Sequence, residues 1–255
     1  MGSGSLSGEM TLVAESTSDQ ISRDETGMVE QQQSRAHKEE GNHADGIVVV
    51  GGGGHAKVVI SILHKLKRYR ILGYTDRQDR GSVLGIPFLG SDCELNALAN
   101  GDETIAAVLG VGQVGLGNAR CELWTKLQSE LPSQLFPVIV SPAAVINDDV
   151  SFGDGVVVMD GTIINVGARL GRGAIANTNS TIEHDVILED WVHVAPGATI
   201  SGGATVGRFS MVGAGATVIE GIKIASSCMV GAGSVVVNDI TEPGTYVGCP
   251  ARRIK

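Results

Sequence analysis

From Val140 to Val236 every sixth residue is apolar: Val140, Ile146, Phe152, Val158, Ile164, Leu170, Ala176, Ile182, Leu188, Val194, Ile200, Val206, Val212, Val218, Ile224, Val230 and Val236. The column two positions earlier, from Val138 to Ser234, is almost wholly small or β-branched. A period of six fits neither the 3.6 of a helix nor the 2 of a plain strand. It fits a short strand and a tight corner, repeated, with the aliphatic column inward and the small residue packed beside it. Three such sides close one coil of a prism, and coils stack about 4.8 Å apart through parallel backbone hydrogen bonds. Seventeen hexads at three per coil give between five and six coils. Glycine follows the aliphatic position at Gly153, Gly171, Gly207, Gly213 and Gly231, where a corner is expected to use glycine's relaxed backbone limits.

The pattern changes upstream. Over residues 47–140 strand and helix signals alternate. "IVVV" reads as a buried strand, and "GGGGHAKVVISILHKLKRY" turns through glycines into a helix with Val58, Ile62 and Leu66 on one face. "ILGYTD" and "TIAAVLGVG" read as further strands, "SDCELNALA" and "GNARCELWTKLQSEL" as helices, and "LFPVIV" as a last extended segment. Such alternation predicts a small parallel α/β sheet. Residues 1–46 show no periodicity. They carry nine acidic and three basic residues, a net −6 of the chain's −9. This segment cannot bury enough surface to offset its ordering entropy and is expected to be a disordered leader. The predicted organisation is therefore a leader over 1–46, an α/β domain over 47–137 and a repeat domain over 138–255.

Composition narrows the chemistry. Aromatics make up only 4% of the 255 residues, and there are 36 glycines, so Val, Ile, Leu and Ala must fill the core in thin regular layers. A net charge of −9 argues against a nucleic-acid footprint or an anionic membrane surface. No apolar run is long enough to span a bilayer. Cys93, Cys121, Cys228 and Cys249 lack CxxC spacing and read as reduced, buried thiols of a cytoplasmic protein, with neither a disulfide frame nor a zinc site.

Two of the six histidines stand in the repeat region. His184 falls two residues past the inward Ile182 and His193 one before the inward Val194, so neither belongs to the prism's inner columns. Nine residues is half of an 18-residue coil, so the two point from different sides of one prism. If both serve one site, a second chain must supply one of them. "EHD" flanks His184 with carboxylates, which would fix its tautomer and raise its basicity for general-base work; Asp185 is the first candidate partner and Glu183 the second. A histidine zinc site would need a third ligand that the prism lacks, and no metal is expected. His37 and His43 lie in the leader and read as solvated. His64 reads as an ordinary helix residue. In the α/β region "GGGGHAK" is a phosphate cradle in form, and Asp76 stands where a dinucleotide fold would place its ribose-binding acid, which leaves a nicotinamide cofactor open from this domain alone.

The hexad array resembles the left-handed parallel β-helix of the hexapeptide-repeat acyltransferases. Together, "VVVGGGGHAK", "NTNSTIEHDVILEDWVHVAPGA" and the ending "VGCPARRIK" resemble the sialic-acid O-acetyltransferase and nucleotide-amino-sugar N-acetyltransferase family, over residues 47–255. The resemblance implies a homotrimer that moves an acetyl group from acetyl-CoA to the amine of a nucleotide-linked amino sugar, for bacterial surface glycan synthesis. It implies His184 as general base with Asp185 enhancing its basicity, and His193 at the acetyl-CoA thioester. Asn177 would contact the sugar, and Gly202 and Ala214 the pantetheine arm; the tail would lie near the coenzyme's adenosine end, where by charge Arg252 and Arg253 would meet its phosphate. Gly53, Gly54 and His55 would touch the diphosphate or sugar, and Asp76 the nucleoside. Thr75–Asp76 leaves the nucleotide base open. Two rival readings stand beside this one: O-acetylation of a free sugar such as sialic acid, and a non-catalytic trimeric scaffold with a ligand-sensing α/β domain.

Overall fold

The computed structural model describes residues 46–95, 105–113, 115–130 and 136–255, with Met1 and Gly2. Apart from its ends, the leader expected over 1–46, His37 and His43 included, lies outside the described residues. One end corrects it: Gly46 is buried and opens β1 (Gly46–Val50). From β1 the chain runs through α1 (Gly54–Leu66), β2 (Arg70–Thr75), β3 (Ile105–Leu109) and α2 (Ala119–Glu130). The sheet is parallel, in the order β2-β1-β3. β1 is apolar without a break because both its faces are covered. Ile47 and Val49 join the α1 cluster, while Val48 and Val50 join that of Trp124 and Leu127 from α2.

Helix α1 buries Ala56, Val59, Ile60, Ile62 and Leu63. Its main stripe, 56–59–60–63, has the spacing of one helical face and lies opposite Val58, which is 38% exposed; the expected Val58–Ile62–Leu66 face is one residue out of phase. "SDCELNALA" opens with a 3₁₀ turn, Asp92–Glu94, with no side-chain cap from Ser91, and Leu95 after it is α-helical. The rest of that expected helix, from residue 96 on, lies outside the described residues. "LFPVIV" is not a strand of the α/β sheet. Its Ile139–Val140 pairs with Val157–Val158 and begins the prism.

Seventeen short strands, from Ile139–Val140 to Val235–Val236, build the β-helix. Strands eighteen residues apart pair in parallel, as in Ile175↔His193 and His193↔Met211, and fall into three sheets, the three faces of the prism. The inward aliphatic column is buried from Val158 to Val236, and only Val140, Ile146 and Phe152, at the open end, are partly exposed. At the corners every sixth residue from Asp149 to Gly233 has a φ between +55° and +74°. Nine of these fifteen positions are glycine, the rest being Asp149, Asn179, Asp185, Trp191, Phe209 and Ser227. The left-handed position is thus the third residue after the aliphatic one. The glycine directly after it answers a different demand: a Cβ on Gly207 would sit 2.5 Å from Ser226 N, and one on Gly171 2.6 Å from Asp190 N. Those glycines admit the backbone of the next coil.

The first face carries the outward residues Ile139, Val157, Ile175, His193, Met211 and Met229. Ile139, Val157 and Ile175 are fully buried in one cluster with α1, so the α/β domain sits on this face. Lys65 of α1 pairs with Asp160 at the adjoining corner, and the Trp124 ring stacks on Phe136 and meets Trp191 edge-on at 5.4 Å. All four cysteines are free, but Cys93 and Cys249 are exposed, contrary to the expectation of buried thiols: both fall in solvent-facing turns. The C-terminal tail adds Gly244–Val247 to the first face beside Cys228–Val230 and folds Arg252–Arg253 back antiparallel. No helix among the described residues is long and apolar enough to cross a membrane.

Candidate active site

The glycine loop joins β1 to α1. Gly52 packs its Cα against Tyr74, where a Cβ would come within 2.5 Å of the ring, whereas Gly53 and Gly54 face open space. Gly53 caps α1 without a side-chain hydrogen bond, and no acid stands in the helix's first turn. Gly52, Gly53, Gly54, Lys57, Arg80 and Ser82 line most of a cleft of about 380 Å³. Open helix amides and two cations suit an anion. Asp76 does not line this cleft. Its Oδ2 accepts from the Gly52 N–H (2.8 Å) and Arg80 Nε (3.0 Å), and its Oδ1 from the Gln78 N–H. Burial would raise its pKa, but the hydrogen bonds from Arg80, Gly52 and Gln78 and the Arg80 charge together hold it below the usual carboxylate value. It latches the loop.

His55 leads from this loop to the junction with the prism. There His193 is 5% exposed. It points out of the prism, as its register requires, yet it is enclosed, because the face it stands on is the one the α/β domain covers. Its Nδ1–H donates to the Gln113 carbonyl (3.1 Å), and its Nε2 accepts from Asn177 Nδ2–H (3.0 Å). Asn177 Oδ1 in turn accepts from the Thr178 N–H at 2.8 Å. Arg120, in the first turn of α2, lies beside both imidazoles. It is 4% exposed, and its guanidinium stands 5.5 Å from the Trp191 ring centre. Burial, then the Arg120 charge, push His193 down to about 4, with the Gln113 bond opposing. Burial, Arg120 and His193 push His55 down to about 3. Both rings are uncharged at neutral pH.

His184 stands at another edge, the corner between the second and third faces. Its side chain is 59% exposed, and Nδ1 lies 3.0 Å from Asp185 Oδ2. Asp185 occupies a left-handed corner position with φ +58°, which turns its carboxylate back to the ring. Glu183 is engaged elsewhere: its Oε2 accepts from Asn165, whose own Oδ1 accepts from Asn147, a ladder of successive coils. Between the two carboxylates left open by the sequence, Asp185 is therefore the hydrogen-bonding partner. The Asp185 hydrogen bond raises the His184 pKa above the ordinary value; loss of water opposes it, and the Asp185, Glu183 and Glu220 charges add to it. Gly202, one coil on, lies under the ring, and a Cβ there would come within 2.5 Å of Nε2.

The structure thus brings His55, His193 and Asn177 together on one side and His184, Asp185 and Gly202 on another. Ala214 is exposed at the corner above Asn177. Among the described residues Arg253 is tied to Glu242 and to the Lys255 carbonyl, whereas the Arg252 guanidinium bonds its neighbour's carbonyl alone. Among the described residues no three His, Cys, Asp or Glu side chains gather where a metal could bind.

The chain as a whole is similar to known proteins. A family model described as the PglD N-terminal domain matches residues 46–118. The acetyltransferase domain of PglB from Neisseria gonorrhoeae FA1090, solved with acetyl coenzyme A, is 32% identical with a TM-score of 0.76, over 83% of this chain and 100% of that one. GDP-perosamine N-acetyltransferase from Caulobacter crescentus, solved as a histidine-to-alanine variant with CoA and GDP-perosamine, is 33% identical with a TM-score of 0.76, over 82% and 97%. The chain belongs to this sugar N-acetyltransferase family. WeeI from Acinetobacter baumannii AYE, at 24% identity and a TM-score of 0.71 over 82% and 99%, shares the fold.

Several residues of this family member went unassigned in the sequence reading: Lys57, Arg80, Arg120, Gln113 and Trp191. One signal for two of them was present. Lys57 and Arg120 each place a cation in the first turn of a helix, against the macrodipole, and such a placement calls for a compensating partner.

Proposed function

We propose that the protein is an acetyl-CoA-dependent N-acetyltransferase acting on a nucleotide-linked amino sugar, with His184 as its general base. The observation that carries this reading is the His184–Asp185 pair. The Asp185 carboxylate accepts a hydrogen bond from Nδ1–H at 3.0 Å, which leaves Nε2 with a lone pair on the exposed corner of an acyltransferase prism. The substrate amine attacks the thioester carbonyl and forms the C–N bond. His184 Nε2 removes the amine proton, the C–S bond breaks, and coenzyme A leaves as thiolate or, once protonated, as thiol. A hydrogen-bond donor at the prism corner stabilises the oxyanion. No cysteine takes part.

The remaining assignments follow the same logic. Residues 47–137 hold the nucleotide sugar and residues 138–255 the acyl donor. Gly53, Gly54, Lys57 and Arg80 take the diphosphate. Asp76 fixes the loop beside the nucleoside, and His55 leads toward the sugar, which meets Asn177. Gly202, Ala214 and His193 border the acetyl-pantetheine arm, and Arg252, the less engaged of the two tail arginines, reaches the coenzyme phosphate in the C-terminal tail. The working unit is a homotrimer in the cytoplasm. Its support is the separation within one chain: His184 stands at one edge of the second face and Asn177 at the other, so two copies side by side would unite them.

The test is a panel of UDP-, GDP- and CMP-linked amino sugars with acetyl-CoA, followed by thiol release. One of these is expected to turn over, and His184→Ala to abolish turnover while leaving acetyl-CoA affinity largely intact. Near-normal turnover by that variant, or turnover of free sugars without any nucleotide, would overthrow the reading.

A further inference from the structure

Among the described residues six buried side-chain polar atoms find no hydrogen-bond partner in the protein: three belong to Arg120, one to His55, one to Trp124 and one to Ser180. The first five lie in one neighbourhood. Arg120 faces the Trp191 ring, Trp124 meets that ring edge-on, and the Arg120 charge acts on both His55 and His193. A buried guanidinium without a carboxylate is costly and stabilises nothing by pairing, and an aromatic face offsets only part of that cost. What the cation acts on is the hydrogen-bond relay from Gln113 through His193 to Asn177.

We propose that Arg120 is a positioning residue that fixes the donor polarity of Asn177 through His193. The relay can run in only one direction while the imidazole is neutral. The Gln113 carbonyl can only accept, so Nδ1 carries the proton and Nε2 the lone pair. Nε2 therefore takes one amide hydrogen of Asn177, the backbone N–H of Thr178 fixes the Asn177 oxygen, and the second amide hydrogen, unpartnered among the described residues, is presented to the site. Protonation of His193 would make Nε2 a donor. The Asn177 amide would then have to flip, turning an N–H donor into a carbonyl acceptor where the substrate is read. Arg120 from α2 is the charged group that faces His193, with His55 from α1 and Gln113 from the loop before α2 beside it; its neighbours along the prism face are Ile175 and Met211. Burial opposes that protonation first, and the Arg120 cation adds to it. This deepens the proposed function and rests on its placing of Asn177 against the substrate.

The experiment uses the full chain with Arg120→Met and Arg120→Lys, with Arg120→Gln as a second neutral variant should the first fail to fold. Two readouts are needed. The first is NMR of the His193 imidazole and the Asn177 side-chain amide against pH. In the neutral variants the His193 midpoint is expected to rise, burial still holding it below the ordinary histidine value, with the Asn177 amide signals changing at the same midpoint, and Arg120→Lys to restore both. The second is kcat/KM for the amino-sugar nucleotide against pH. The neutral variants are expected to gain a new acid-side loss, approaching tenfold per pH unit below that midpoint, which Arg120→Lys removes. An unmoved His193 midpoint, or Asn177 signals that do not follow it, overturns the proposal. An unaltered pH profile in variants whose His193 midpoint has moved overturns it equally. If the native chain turns over no amino-sugar nucleotide, the proposed function fails, and the NMR readout still decides the role of Arg120.

Discussion

At the scale of single residues, the site depends on atoms that are missing. Gly202 lacks a Cβ, and that gap is where the His184 ring rests. Gly202→Ala is expected to displace the imidazole and cut kcat by about tenfold or more, since small displacements of a reacting group are costly, while the thermal midpoint falls little; kinetics beside calorimetry would check this. Asp185 acts on the same ring from the other side. The proposed general base must be unprotonated to act, so the rate is expected to rise with pH through the elevated His184 pKa. Asp185→Asn removes the hydrogen bond and the charge that elevate it. The rising limb of the pH–rate profile is then expected to move to lower pH and the plateau to drop, whereas a limb unchanged in position would mean that another group titrates. Trp191 shows a different economy. A tryptophan at φ +63° costs about 1 kcal/mol of backbone strain, and its ring faces Arg120 and Trp124 in return.

At the scale of elements, helix α1 and the first prism face form one buried surface. Ile175 is fully buried between them. Truncation to alanine is expected to cost about 2–4 kcal/mol, and urea unfolding should show the loss in both layers at once. Separate transitions, with only the α/β layer weakened, would show that the contact is looser than its burial implies. The inward column was legible along the chain because a six-residue period admits a single fold, and each of its positions from Val158 onward is buried. What covers the outside was not legible. Ile175 and Ile187 look alike in the repeat, yet the first is buried under α1 and the second is 43% exposed. The same blindness hid the enclosure of His193. Arg120 could be placed on a helix from "GNARCELWTKLQSEL", but its neighbours His55 and Trp191 come from distant segments, and no local pattern links them. His184 and Asp185, adjacent in sequence, were readable for the opposite reason.

At the scale of the whole molecule, acid should act first at the junction between the α/β layer and the prism. His193 is uncharged when folded, with a pKa of about 4, against 6.5 in an unfolded chain. Between those values the unfolded state binds the extra proton, so stability is lost as pH falls through that window. His193 alone accounts for about 3 kcal/mol, and His55 acts in the same direction. Denaturant midpoints measured from pH 7 down to about 4 should fall steadily, and His193→Gln should flatten the curve. The eighteen-residue coil has a wider consequence. Deleting six residues between Asn177 and His193 would turn everything beyond them by a third of a revolution, carrying the Gly202 corner and the tail to the wrong side. Length in this half of the protein is therefore quantised: adding or removing a whole eighteen-residue coil outside the site would keep the three faces in register, and a fraction of one would not.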